Sequence, residues 1–350
     1  MNSTQRIRTM LAGGEVDQLC TSAWWHMPLV DKNPKDLAKA AIDFTENNQF
    51  DFVKMMYNTS FFGQDFGMKV EYSKDPLVWR PQILRQAAVH VRDFCKLPLP
   101  DPSKGNLGRQ VEATKYVVDH FRGEVPVVGT LFTPISLYKD MITFCNGDSA
   151  YAAMEHDPQY LHQALEMITE TSIRFLDELA KIGADGIFVA SHFCGNDMPE
   201  DWFQEFIRPY DLAVMEAANQ RMWFNIHHIH GSTGLAMDRF LDYPCQAISW
   251  EDCYAGPNSG LTMADIRRKS DKIFIGGIEM YSDYYSDDND REEVKKVLQR
   301  RGEDAIRSAG FNKLILAPGC GAPQDIPPYR FTLQHEVAVE LTARHNVGRI

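Results

Sequence analysis

The sequence predicts an α/β fold, a (β/α)8 TIM barrel with an insertion between its second and third strands. Three observations predict it. Eight short apolar runs of strand length are spread along the chain, helical patterns sit between them, and no glycine-rich phosphate fingerprint follows any run. Alternating strands and helices mean a parallel sheet, eight units favour closure into a barrel, and the missing fingerprint argues against an open doubly wound sheet. The 350 residues suit a single barrel domain over 1–350.

The first run is 22–27 (SAWWHM), followed by a helical pattern over 34–47. The second, 52–56 (FVKMM), leads into a stretch from about 60 to 122 that is too long for an ordinary βα connection. That stretch is read as an excursion over the barrel mouth with one helix near 110–121. The third run is 125–131 (VPVVGTL). A helix over 158–182 precedes the fourth, 186–191 (GIFVAS), with apolar residues at three- and four-residue steps such as Leu161, Leu165, Ile168, Ile173 and Leu176. Pro199 opens a further helix over 199–218, behind Asn196 and Asp197 as cap candidates. The remaining runs are 222–228 (MWFNIHH), 247–252 (AISWED), 272–278 (KIFIGGI) and 314–320 (LILAPGC), with helices over 291–309 and 330–345. The acidic run 282–293 reads as a solvated loop and helix start.

Composition narrows the function. A net charge of −12 argues against nucleic acid as the main partner, because phosphate binding needs a basic surface. No apolar run approaches the roughly 20 residues of a membrane span, and the polar start MNSTQRIRTML does not read as a signal peptide, so the expected location is cytoplasmic. Seven scattered cysteines in such a chain are expected to be free thiols.

In a barrel of this kind the active site lies at the C-terminal strand ends. The fifth run ends in His227-His228-Ile229-His230-Gly231. Alternate strand residues share a face, so His228 and His230 point the same way and form a two-point metal clamp. The eighth run ends in Pro318-Gly319-Cys320-Gly321, where flanking glycines leave the sulfur open to a metal. Strands five and eight face one another across a barrel, so the three side chains form a candidate His2Cys zinc site with a fourth position open. Glu279, after the seventh run, is the candidate catalytic base or labile fourth ligand. Trp25, His26, Tyr57, Asn58, His192 and Trp250, at the other strand ends, are the expected substrate-binding lining.

These strand ends resemble the uroporphyrinogen decarboxylase superfamily over nearly the whole chain. The similar stretches are SAWWHMPLVD, DFVKMMYNTSFFGQDFGM, VPVVGTLFTP, GADGIFVASHFCGNDMPEDWFQEFIRPY and LILAPGCGAPQDIPPYRF. The last is similar to the cysteine motif of one branch, the zinc-dependent methyltransferases that work with corrinoid proteins. That branch carries His-x-Cys on one strand and a Cys in a PGCG-like turn. The resemblance therefore implies His228 as first ligand, His230 where the branch has a Cys, and Cys320 as the last. It implies Zn2+, a corrinoid (cobalamin) carried by a separate protein, a small methyl donor or acceptor, and a homodimer as a possible assembly. Imidazole in place of thiolate leaves the metal more positive, which favours polarising an oxygen, as in O-demethylation of a methoxylated substrate, over activating a thiol. The decarboxylases fit less well: their early arginine motif reads WWHMPLVDK here, and Asn58 stands at the position of their essential Asp. A lyase or zinc hydrolase on the same barrel, and a non-catalytic ligand-binding subunit, remain as alternatives.

Overall fold

A computed structural model describes residues 1–142, 150–231, 234–253, 261–285 and 290–348. Among the described residues there are ten strands: β1 Cys20–Thr21, β2 Val53–Lys54, β3 Lys69–Glu71, β4 Gln82–Arg85, β5 Val127–Phe132, β6 Gly186–Ser191, β7 Ile226–Ile229, β8 Ala247–Ser249, β9 Ile273–Ile278 and β10 Leu314–Pro318. Eight of them form one parallel sheet in the order β1-β10-β9-β8-β7-β6-β5-β2. The two end strands meet: the Asp51 N–H donates to the Thr21 carbonyl at 2.7 Å, and the chain forms a (β/α)8 barrel.

Seven of the eight expected runs overlap a barrel strand, with shifted ends, and the first lies just beyond its strand. The first ladder sits at residues 20–21, and SAWWHM runs beyond it toward the mouth, tied by the Ala322 N–H to the Trp24 carbonyl. The fifth strand starts four residues late because Asn225 intercepts the ladder. Its side chain donates to the Met222 carbonyl and accepts from the Ile187 N–H.

Between β2 and β5 lies the expected insertion. It contains a short antiparallel hairpin of β3 and β4, the turns Phe61–Asp65 and Val91–Phe94, and then the regular crossover helix Gly105–Phe121. The hairpin is invisible to periodicity because its seven residues alternate poorly and most are exposed. The helix Pro158–Lys181 matches its expected range. Arg291–Ala309 is capped by the Asp290 side chain; part of the acidic run, 286–289, lies outside the described residues. No helix of the described residues is long and apolar enough to cross a membrane.

The barrel separates two cores. Its interior is filled by Cys20, Phe52, Val128, Phe188, Ile226, Ala247, Ile273, Ile275, Ile315 and Ala317, while the alternate residues of the same strands pack outward under the helices. The N-terminal helix Ser3–Leu11 adds Ile7 and Met10 to the interior cluster, so it plugs the barrel floor. An Asn2–Gln5 capping box starts that helix.

The β1–β2 seam depends on Asp51. Its buried carboxylate accepts from the Thr21 N–H at 2.8 Å, from Ser3 Oγ at 3.1 Å and from the Arg6 guanidinium at 2.5 Å. One residue thus joins the plug helix to both seam strands. Asp51→Ala is expected to lower unfolding free energy by about 3 kcal/mol, the low end for breaking a buried pair because Arg6 keeps Asp17. Urea titration of both proteins checks this; a loss below about 1 kcal/mol, the scale of an exposed pair, would remove Asp51 from that role.

Candidate metal centre

Strand β7 sets the first two donors. Ile226 faces the interior, so His228 and then His230 follow it inward, while His227 and Ile229 face the helices. The extended pairing continues past the ladder, because the His230 N–H donates to the Ser191 carbonyl at 3.0 Å. Outward-facing His227 is taken up structurally: its Nε2 bonds Ser191 Oγ at 2.7 Å and its ring stacks on Tyr243.

The third donor arrives on the turn after β10. A Cβ on Gly319 would lie 2.9 Å from the Glu251 Cα and from the Trp250 carbonyl oxygen. Glycine is therefore required there for close approach of two backbones, which brings Cys320 beside the end of β8. Gly321 meets no such constraint, since its nearest neighbour would be Trp24 at 3.7 Å. The demand at this PGCG turn is on its first glycine.

His228, His230 and Cys320 come together, with one ligand atom from each within 4.8 Å of the others. His228 Nε2 is 3.4 Å from His230 Nδ1, which is 3.6 Å from Cys320 Sγ. A tetrahedral zinc with bonds of about 2.0–2.1 Å to nitrogen and about 2.3 Å to sulfur separates its donors by about 3.3 Å (N to N) and about 3.6 Å (N to S). The donor set therefore fits that ion in chemistry, and these two separations match its spacing. Ser249 Oγ lies 3.3 Å from His228 Nδ1 and orients the ring with Nε2 toward the cluster. Burial and the neighbouring His230 hold His228 well below the usual histidine range, so it is neutral and its lone pair is free. Burial, with the Glu251 charge, pushes the Cys320 thiol up to about 11, so a metal must displace its proton.

The carboxylate nearest the cluster is Glu251, with Oε1 3.8 Å from His230 Nδ1. Burial and the charge of Glu279 raise its pKa. Neither Glu251 nor Glu279 lines the cavity, but Glu279, expected to be the base, is turned into its own loop: its Oε2 accepts the Tyr281 N–H at 3.0 Å and its N–H donates to Asp283. Glu251 stands at the end of the sixth run, the strand-end position that the sequence also offered, but the base role was expected of Glu279 instead.

The cluster opens into a cavity of about 670 Å³. His26, Asn58 and His192 line it as expected. His26 stacks on Trp79 with centroids 4.1 Å apart, and His192 meets His230 edge-on at 4.9 Å. Burial pulls both His26 and His192 down to about 3. Tyr57 borders the cavity, but its ring packs outward on Phe61 and its hydroxyl bonds Thr114 at 2.7 Å. Trp25 and Trp250 do not line it. Trp25 packs against Phe44 and Phe331 beneath the helices, and Trp250 against Phe274, with its indole N–H on the Leu261 carbonyl. Of the adjacent pair, Trp24 faces the cavity. The two-residue period, counted from Cys20 and Ala247, gives this result for both strands. The cavity also receives Lys54 from β2 and Trp79 and Arg80 from the insertion. Burial pulls Lys54 down to about 7 against the attraction of Cys320.

Comparison with known proteins agrees with the barrel fold. The uroporphyrinogen decarboxylase (URO-D) family model matches residues 19–340. A uroporphyrinogen decarboxylase of Aliivibrio salmonicida is 26% identical over 249 residues, which is 67% of this chain and 64% of that protein. The methylcobamide:CoM methyltransferase MtaA of Methanosarcina barkeri is 22% identical over 302 residues, 86% of this chain and 82% of that one. Among solved structures, a methyltransferase from Methanosarcina mazei superposes with a TM-score of 0.78 at 18% identity, covering 97% of this chain and 99% of its own, a likeness of fold.

The outward placement of Trp250 carries its own test. Trp250→Ala is expected to cost about 3–5 kcal/mol of stability, as for a large aromatic removed from a packed core. A denaturant series reads this, and a cost below about 1 kcal/mol would return Trp250 to the cavity wall.

Proposed function

The chain belongs to the uroporphyrinogen decarboxylase (URO-D) family, and from that membership we propose that it is a zinc-dependent methyltransferase. It moves a methyl group between a small, methoxylated substrate and the cobalt of a separate corrinoid protein. The observation that carries this reading is the convergence of His228, His230 and Cys320 at the mouth of the barrel with donor spacings suited to a tetrahedral zinc.

These three residues would hold the ion, and when bound it supplies a Lewis acid that draws electron density from the ether oxygen. Cys320 is the one anionic donor of the three. With imidazole at 230 the site stays more positive than a two-thiolate set, which suits an oxygen-linked donor. Ser249 fixes the His228 ring, and the aromatic walls Trp24, Phe132 and Phe188 keep water from the reacting centre. In such a transfer the methyl–oxygen bond would break with its electron pair left on oxygen, and the methyl carbon would pass to the partner's reduced corrinoid as co-substrate. Glu251, with Oε1 3.8 Å from His230 Nδ1, is the carboxylate beside the cluster that would pass a proton to the departing oxygen.

The decarboxylase activity of other relatives finds less support in these residues. At the end of β2 stands Asn58, an amide whose Oδ1 already accepts from the Tyr72 hydroxyl at 2.9 Å.

Protein purified without chelators is expected to contain about one zinc per chain. His228→Ala and Cys320→Ala should each lose most of the metal and all measurable transfer from a methoxylated donor to a reduced corrinoid protein. Their thermal midpoints should stay close to wild type, because the ligands sit on the functional face of the barrel. Full zinc occupancy in both variants, or undiminished transfer after zinc removal, would refute the assignment.

A further inference from the structure

Lys54 is the one inward-facing side chain of the β2 ladder, below the cavity that holds the His2Cys cluster. Its ammonium has unusual company. Nζ lies 3.0 Å from the Met56 thioether sulfur and 4.5 Å from the centre of the Phe188 ring, with Trp24 at 5.9 Å. Among the described residues no carboxylate pairs with it, whereas Arg6 and Arg330, which are buried, hold a carboxylate and a carbonyl respectively. An ammonium facing a cavity with only a weak sulfur acceptor and two ring faces leaves most of its hydrogen-bonding capacity unused.

Resting on the methyltransferase reading, we propose that Lys54 receives an oxyanion on the substrate, a carboxylate or sulfonate, and thereby selects small anionic aromatic methyl donors. The ring faces of Trp24 and Phe188, which already flank the ammonium, then pack against the apolar body of such a substrate. Arg80, at the insertion, brings a second positive charge to the same cavity. The acidic neighbours face other cations or rings: Glu251 lies beside His230, and Asp140 is attracted by Lys139 and Arg80.

The test is equilibrium binding to the zinc-loaded protein by calorimetry, without any corrinoid protein. Three shape-matched probes are used: 3-methoxybenzoate, 3-methoxybenzenesulfonate and the uncharged 3-methoxybenzamide. At least one oxyanion is expected to bind about ten-fold or more tightly than the amide, the scale of one charge-assisted hydrogen bond. Which of the two binds better identifies the oxyanion. Lys54→Met should reduce that preference to about two-fold while retaining zinc, and Lys54→Arg should restore most of it. Equal affinity of the three probes in wild type, including no binding by any, overturns the proposal. So does a preference that survives in Lys54→Met, or loss of zinc from that variant, which would make Lys54 the counter-charge of Cys320. Because no methyl group moves in this experiment, failure of the methyltransferase reading leaves the affinities standing. Failure here leaves transfer from uncharged donors untouched.

Discussion

A side chain on a barrel strand has two directions available, toward the axis or toward the helices, and successive residues must alternate between them. The chemistry of this chain hangs on that choice. With Ile226 inside, His228 and His230 must also point inward, and His227 is sent to Ser191 and Tyr243 in the outer layer. The same alternation turns Lys54 and Trp24 inward and Tyr57, Trp25 and Trp250 outward. A one-residue slip in any of these strands would exchange a ligand or a pocket residue for a core residue. Register is held from outside the site, by Asn225 at the start of β7 and by Asp51 at the β1–β2 seam.

The barrel itself was legible because its strands are nearly continuous apolar runs and its helices carry a clear apolar stripe. The metal cluster was legible for a related reason: a His-x-His at one strand end and a Cys in a glycine turn at another converge only in a closed sheet. What failed was the choice between neighbours. Trp24 and Trp25 are identical residues, and only the phase set by buried Cys20 tells them apart. Trp250 and Glu251 pose the same choice, where the phase from Ala247 turns the indole outward and the carboxylate toward His230. The small hairpin of β3 and β4 and the floor-plugging helix were missed because each has few apolar residues, and their value comes from where they dock. Trp79, which stacks on His26, belongs to a segment with no periodicity at all.

The electrostatic character of the cavity follows from its burial. His26, His192 and His228 are all held neutral, so three imidazoles contribute lone pairs and ring faces rather than charge. What charge the site has comes from Cys320, Glu251, Asp140, Lys54 and Arg80. A bound dication would displace the thiol proton of Cys320 and leave the His2Cys set with a net positive charge. Glu251 stands on one side of that charge, and an open cavity on the other.

The central claim is that two imidazoles and one thiolate hold a zinc ion at the mouth of the barrel. Zinc X-ray absorption of the purified protein tests it directly, because the near-neighbour shells report donor type. The account predicts one sulfur at about 2.3 Å, two imidazole nitrogens at about 2.0–2.1 Å and one further light donor. Loss of the sulfur shell in Cys320→Ser would tie it to that residue. A wild-type spectrum with no sulfur neighbour, or with six oxygen and nitrogen donors, would contradict the site and the function built on it.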